Sequence, residues 1–86
     1  MNVIYTPSVN FRVRNIGPKT FLFGEGVAYS LNETGSFIWD NLDGLTSVDE
    51  IVELTLEKYN CSQAEAKEGV NNFLEFLYGI KAIKSE

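Results

Sequence analysis

Leu31-Asn32-Glu33-Thr34-Gly35, Ile38-Trp39-Asp40, Leu42-Asp43-Gly44 and Val48-Asp49-Glu50-Ile51-Val52 follow one another within residues 31–52 and spell two short helices with their start and stop signals. Asn32 has the side chain of an N-cap. Glu33 follows in the first turn, where the helix dipole favours an anion. Phe37, Ile38 and Leu42 point inward, Trp39 widens that stripe, and Gly44 stands where a C-terminal cap is wanted. Ser47-Val48-Asp49-Glu50 is a capping box that opens the second helix. Behind it Val48, Ile51, Val52, Thr55, Leu56 and Tyr59 keep helical spacing.

Outward from this stretch the pattern changes on one side and continues on the other. Before it, Phe11–Ile16, Thr20–Phe23 and Val27–Leu31 read as strands, with turns at Gly17-Pro18 and Gly24-Glu25-Gly26. After it, Ser62-Gln63-Ala64-Glu65 is a second capping box. It opens a third helix with the stripe Ala66, Val70, Phe73, Leu74 and Leu77. At about 100° per residue, Phe76 falls on one flank of that stripe and Tyr78 on the other. This is more apolar surface than one stripe needs. Central burial and a groove for a partner both account for it. Gly79 weakens the helix, and Lys81-Ala82-Ile83 closes the domain. The expected fold is α+β and winged-helix-like, a three-stranded antiparallel sheet followed by three helices. Residues 1–10 are expected to be an irregular arm, since Pro7 lacks a backbone donor, and 11–86 to be one domain.

At 86 residues the chain holds one modest core, and 44% hydrophobic content suffices for it. The formal net charge of -5 argues against a nucleic-acid binder, which needs a basic stripe. Arg12 and Arg14 share a strand face and read as a solvated pair. With 0 histidines and 1 cysteine, the usual general base, His-paired nucleophiles and zinc or iron–sulfur sites are excluded. Asp40 with Asp43, and Asp49, Glu50 and Glu53, lie where caps and solvated faces place acids. Cys61 reads as a small buried thiol. The expectation is no catalytic activity, no cofactor and no metal. No signal peptide and no apolar run of the ~18 residues that span a bilayer is visible, so the expected location is the cytoplasm.

The ordered set Arg12 or Arg14, Phe21-Leu22-Phe23, Leu31-Asn32, Asp43-Gly44, Ser47-Val48-Asp49-Glu50-Ile51, Tyr59, and Val70, Phe73 and Leu77 resembles the PqqD-like family from Phe11 to Ile83. The resemblance implies a RiPP recognition element, a peptide chaperone that binds the leader of a ribosomally made precursor peptide. The leader adds as a strand to the edge Val27, Ala28, Tyr29, Ser30 and Leu31. It lies in a groove shared with the third helix, around Val70, Leu74, Leu77, Tyr78 and Lys81. The opposite flank, Phe73, Phe76 and Ile80, is the alternative groove. The implied partner is a peptide-modifying enzyme, often a radical S-adenosylmethionine enzyme, or a leader peptidase. The edge has no charge and no proline, so it is kept available for pairing and is also expected to permit a homodimer. Two other readings stay open at this point: a winged-helix DNA-binding regulator, and a small structural or regulatory subunit.

Overall fold

The computed structural model describes residues 3–85. The elements run β1 (Tyr5–Pro7), β2 (Phe11–Ile16), β3 (Lys19–Gly24), β4 (Val27–Leu31), α1 (Glu33–Asp40), α2 (Val48–Tyr59), α3 (Gln63–Gly79) and β5 (Ile83–Ser85). β2, β3 and β4 form the expected antiparallel meander, in that order. The architecture is α+β and winged-helix-like, with three helices behind the three-stranded sheet.

Local chemistry accounts for the elements. The β3–β4 loop has two residues, Glu25 (φ 53) and Gly26 (φ 77). Positive φ at both makes it a type I′ turn, whose twist matches the strands it joins. Gly24 is required for another reason: a Cβ there would overlap the ring of Phe11 opposite it. The Asn32 side chain accepts from Gly35 N at 2.7 Å and starts α1. Both capping boxes form, Ser47 with Glu50 and Ser62 with Glu65. Such caps satisfy helix-end donors and are each worth about 1 kcal/mol. Asn60 ends α2 in the left-handed region (φ 51).

The sheet's inner face and the helices close on one core. Leu22, Ile38, Leu42, Ile51, Val70 and Leu77 are its largest fully buried side chains. Cys61 is a free, half-buried thiol packed against that core.

Two expectations need correction. The expected arm over residues 1–10, of which 1 and 2 lie outside the described residues, is not irregular throughout. Tyr5–Pro7 pairs antiparallel with Ile83–Ser85, a second, two-stranded sheet that the sequence reading lacked. On the other side of β1, Gly44 N donates to Tyr5 O at 3.2 Å, and just ahead of the strand Val48 N donates to Val3 O at 2.8 Å. Pro7 is tolerated because its nitrogen faces away from β5: the next residue, Ser8, is the one whose N–H donates toward that strand, to Ala82 O at 2.7 Å. Gly44 is also not the cap of α1. The helix ends at Asp40 with Asn41 as its C-cap, and Asn41 Nδ2 donates to Phe37 O at 2.9 Å. Gly44 lies in the following loop (φ 80).

Candidate functional site

Among the described residues, β4 is hydrogen-bonded to β3 and to no other strand. The turn decides which of its backbone groups are free. In a two-residue I′ hairpin, the residues flanking the loop exchange both hydrogen bonds, and bonded and non-bonded pairs alternate from there. Gly24↔Val27, Leu22↔Tyr29 and Thr20↔Leu31 are therefore the bonded pairs. Ala28 and Ser30 turn their N–H and C=O groups outward, to the open edge. β4 carries none of the charges or prolines that usually block such an edge.

α3 supplies a wall beside it. The Tyr29 and Phe76 rings meet edge to face with centroids 5.3 Å apart, and Phe76 lies 6.3 Å from Phe73. Phe73 in turn packs over Gly35 of α1, where a Cβ would stand 3.2 Å from the ring. A cleft of about 360 Å³ opens between these parts, lined by Ser30, Leu31, Asn32, Phe73 and Phe76. Phe76 remains 39% exposed. Unpaired donors and acceptors thus lie along one side of the cleft and aromatic carbon along the other. The arrangement suits an extended peptide with apolar anchors. It offers nothing for acid–base chemistry, and among the described residues no cluster of His, Cys, Asp or Glu suits a metal ion.

The residues singled out from the sequence separate into two places. Val27, Ala28, Tyr29, Ser30 and Leu31 form the edge as expected, with Ala28 and Ser30 exposed and Leu31 buried. Val70 and Leu77 are fully buried and Leu74 nearly so, which makes them core. Tyr78, 58% exposed, faces away from β4 and packs against Tyr5 with ring centroids 6.3 Å apart. Leu74, Tyr78 and Lys67 line a different cleft, of about 590 Å³, against Val3, Tyr5 and Val48. Lys81 follows the end of α3 in the left-handed region (φ 65). The flank that α3 brings to β4 is the alternative one, Phe73 and Phe76, with half-buried Ile80 packed against the core. Helical spacing separates two flanks but does not say which of them the sheet lies beside.

The shifted carboxylates lie elsewhere. Asp43 is held below the usual range, chiefly by the backbone N–H groups of Leu45 and Thr46, both 2.9 Å from its Oδ1. Glu65 is lowered by the backbone N–H and then the hydroxyl of Ser62. Both are turn and cap interactions. The exposed side of α3 carries Glu65, Glu68 and Glu75 against the single Lys67, an acidic surface for a helix that would have to enter a DNA groove. Among the described residues, no helix is long and apolar enough to cross a membrane.

Comparison with known proteins adds two findings. Residues 15–83 match the family model described as coenzyme PQQ synthesis protein D (PqqD). The fold is similar to that of a solved structure of TbiB1 in complex with the TbiA(beta) leader peptide. The likeness has a TM-score of 0.80 and 21% identity, and covers 92% of this chain and 94% of that one. No curated protein matches the chain.

Proposed function

The chain belongs to the family of coenzyme PQQ synthesis protein D, and on that premise we propose that it is a RiPP recognition element. It binds the leader segment of a ribosomally made precursor peptide and presents it to a modifying enzyme. The leader adds as a further strand to β4, bonding to Ala28 and Ser30, and sets apolar side chains against Tyr29, Phe73 and Phe76. One observation carries this reading: the outward backbone groups of β4 lie beside an exposed aromatic wall. Backbone bonding gives affinity without regard to sequence, and the cleft selects side chains. TbiB1, which shares the fold, was solved with a leader peptide bound.

The chain itself performs no catalysis. A radical S-adenosylmethionine enzyme or a leader peptidase acts on the peptide it holds, in the cytoplasm where the precursor is made. Two copies pair through the same edge when no peptide competes. Calorimetric titration with synthetic leader peptides of candidate precursors tests the proposal. Ser30→Pro removes an outward N–H while keeping the bonds to β3, and should abolish measurable binding with the thermal transition nearly unchanged. Undiminished affinity in Ala28→Pro and Ser30→Pro alike would take the edge out of the proposal.

A further inference from the structure

The antiparallel register aligns two rows across the outer face of the sheet, Arg12–Phe23–Ala28 and Arg14–Phe21–Ser30. Side chains alternate along a strand, so these rows lie opposite Val13, Leu22 and Tyr29, the row that faces the core. The Phe21 and Phe23 rings touch each other, with centroids 6.1 Å apart, and remain half-buried. Neither belongs to the core or to the hydrophobic side chains packed against it. At the β4 end both rows finish in a small side chain, so nothing bulky stands between the rings and the open edge. At the other end stand Arg12 and Arg14, with Lys19 on the same face. No strand of this sheet carries a carboxylate. Among the described residues none of these three cations is ion-paired.

We infer that a peptide strand added to β4 is read on both of its faces. This rests on the reading of β4 as the peptide edge. The peptide side chains directed at the cleft meet Tyr29, Phe73 and Phe76. Two others, separated by one residue, emerge on the outer face opposite Ala28 and Ser30. There they lean across the small side chains onto Phe23 and Phe21. Residues directly opposite in neighbouring strands are about 5 Å apart, and diagonal neighbours are still within reach of large side chains. The outer face therefore selects bulky apolar side chains at those two positions. Arg12, Arg14 and Lys19 disfavour lysine and arginine there. Phe21 and Phe23 also favour strand formation by themselves, so a test has to separate binding from folding.

Random dodecapeptides displayed on phage and selected on the full-length chain provide the probe. The expected consensus has apolar bulk at two outward positions one residue apart, interleaved with the inward anchors, and is depleted in Lys and Arg. A synthetic peptide of that consensus should bind the Phe21→Thr/Phe23→Thr variant about tenfold more weakly, the scale of a lost aromatic contact. Threonine keeps the strand propensity, so the melting curve should stay close to wild type. Ala28→Arg, which fills the gap at an exposed position, should weaken binding to a similar degree and serves if the double variant folds poorly. Equal affinity in both variants, with Ser30→Pro still abolishing binding, would overturn the outer-face inference and leave the edge reading standing. Binding that ignores Ser30→Pro, or a selection without binders, would overturn both.

Discussion

Tyr78 and Phe76 sit two residues apart on α3 and face opposite ways. Tyr78 packs on Tyr5 of β1, and Phe76 packs on Tyr29 of β4. Judged by exposure, Tyr78 at 58% is the more available of the two, against 39% for Phe76. The backbone alongside reverses that ranking. β1 is bonded on both sides, to β5 and to the loop donor Gly44 N, and Val3 just ahead of it accepts from Val48 N at the start of α2. Among the described residues, β4 is bonded on one side only. An apolar patch becomes a peptide site when unpaired donors and acceptors adjoin it, because these must find partners whenever water is displaced. The Tyr78 flank lacks that complement, so its aromatic pair closes the chain on itself.

The comparison breaks most severely at the residue both flanks share. Leu77 lies fully buried between them. Leu77→Ala should cost roughly 2–5 kcal/mol of stability, read from denaturant unfolding. A loss below about 1 kcal/mol would mean that α3 is not the common wall.

The sharper contrast is between the flanks themselves. Phe76→Ala should weaken leader affinity by about 1–2 kcal/mol, the range of a partial anchor, and leave the domain folded. Tyr78→Ala should leave affinity unchanged and remove only its contact with Tyr5. The reverse pattern in paired calorimetric titrations would move the peptide to the β1 side.

A smaller effect is expected at Gly69, inside α3, where an added Cβ meets nothing within 4 Å. Gly69→Ala should stabilise the fold by about 0.5–1 kcal/mol through helix propensity alone. A destabilised variant in thermal melts would reveal a constraint at that position.

Acid should separate the flanks gently. The carboxyl of Asp43 titrates below its ordinary value because backbone N–H groups stabilise its charged form. The turn it holds leads into Gly44 N, which donates to Tyr5 of β1. A lowered folded-state pKa contributes stability above the ordinary aspartate range, and that contribution is lost as pH falls through the folded value. Amide spectra recorded downward from about pH 4, the ordinary aspartate value, should therefore hold residues 43–46 unchanged at first and shift them, with β1, only at lower pH. A response of residues 43–46 centred above that value would contradict this.

The sequence by itself determined whatever depends on near neighbours. The three strands of the meander, both Ser-x-x-Glu capping boxes and the stripe Ala66, Val70, Leu74, Leu77 are legible because turn φ, cap hydrogen bonds and helical periodicity act over a few residues. The edge Val27–Leu31 was legible for the same reason: its uncharged, proline-free sequence follows a two-residue hairpin. Only the tertiary structure decided the rest. β1 pairs with β5 from the far end of the chain, so no local pattern announces either three-residue strand. The clasp they form, tied to Gly44 and Val48, explains why Gly44 serves a loop and not a helix cap. Which flank of α3 borders β4 depends on how the helix crosses the sheet. That is set when Leu22, Ile51 and Leu77 close into one buried cluster and by the room Gly35 leaves for Phe73. Periodicity gives the angle between Phe76 and Tyr78 about the helix axis. The direction of the sheet from that axis is a long-range quantity, fixed only when the core closes.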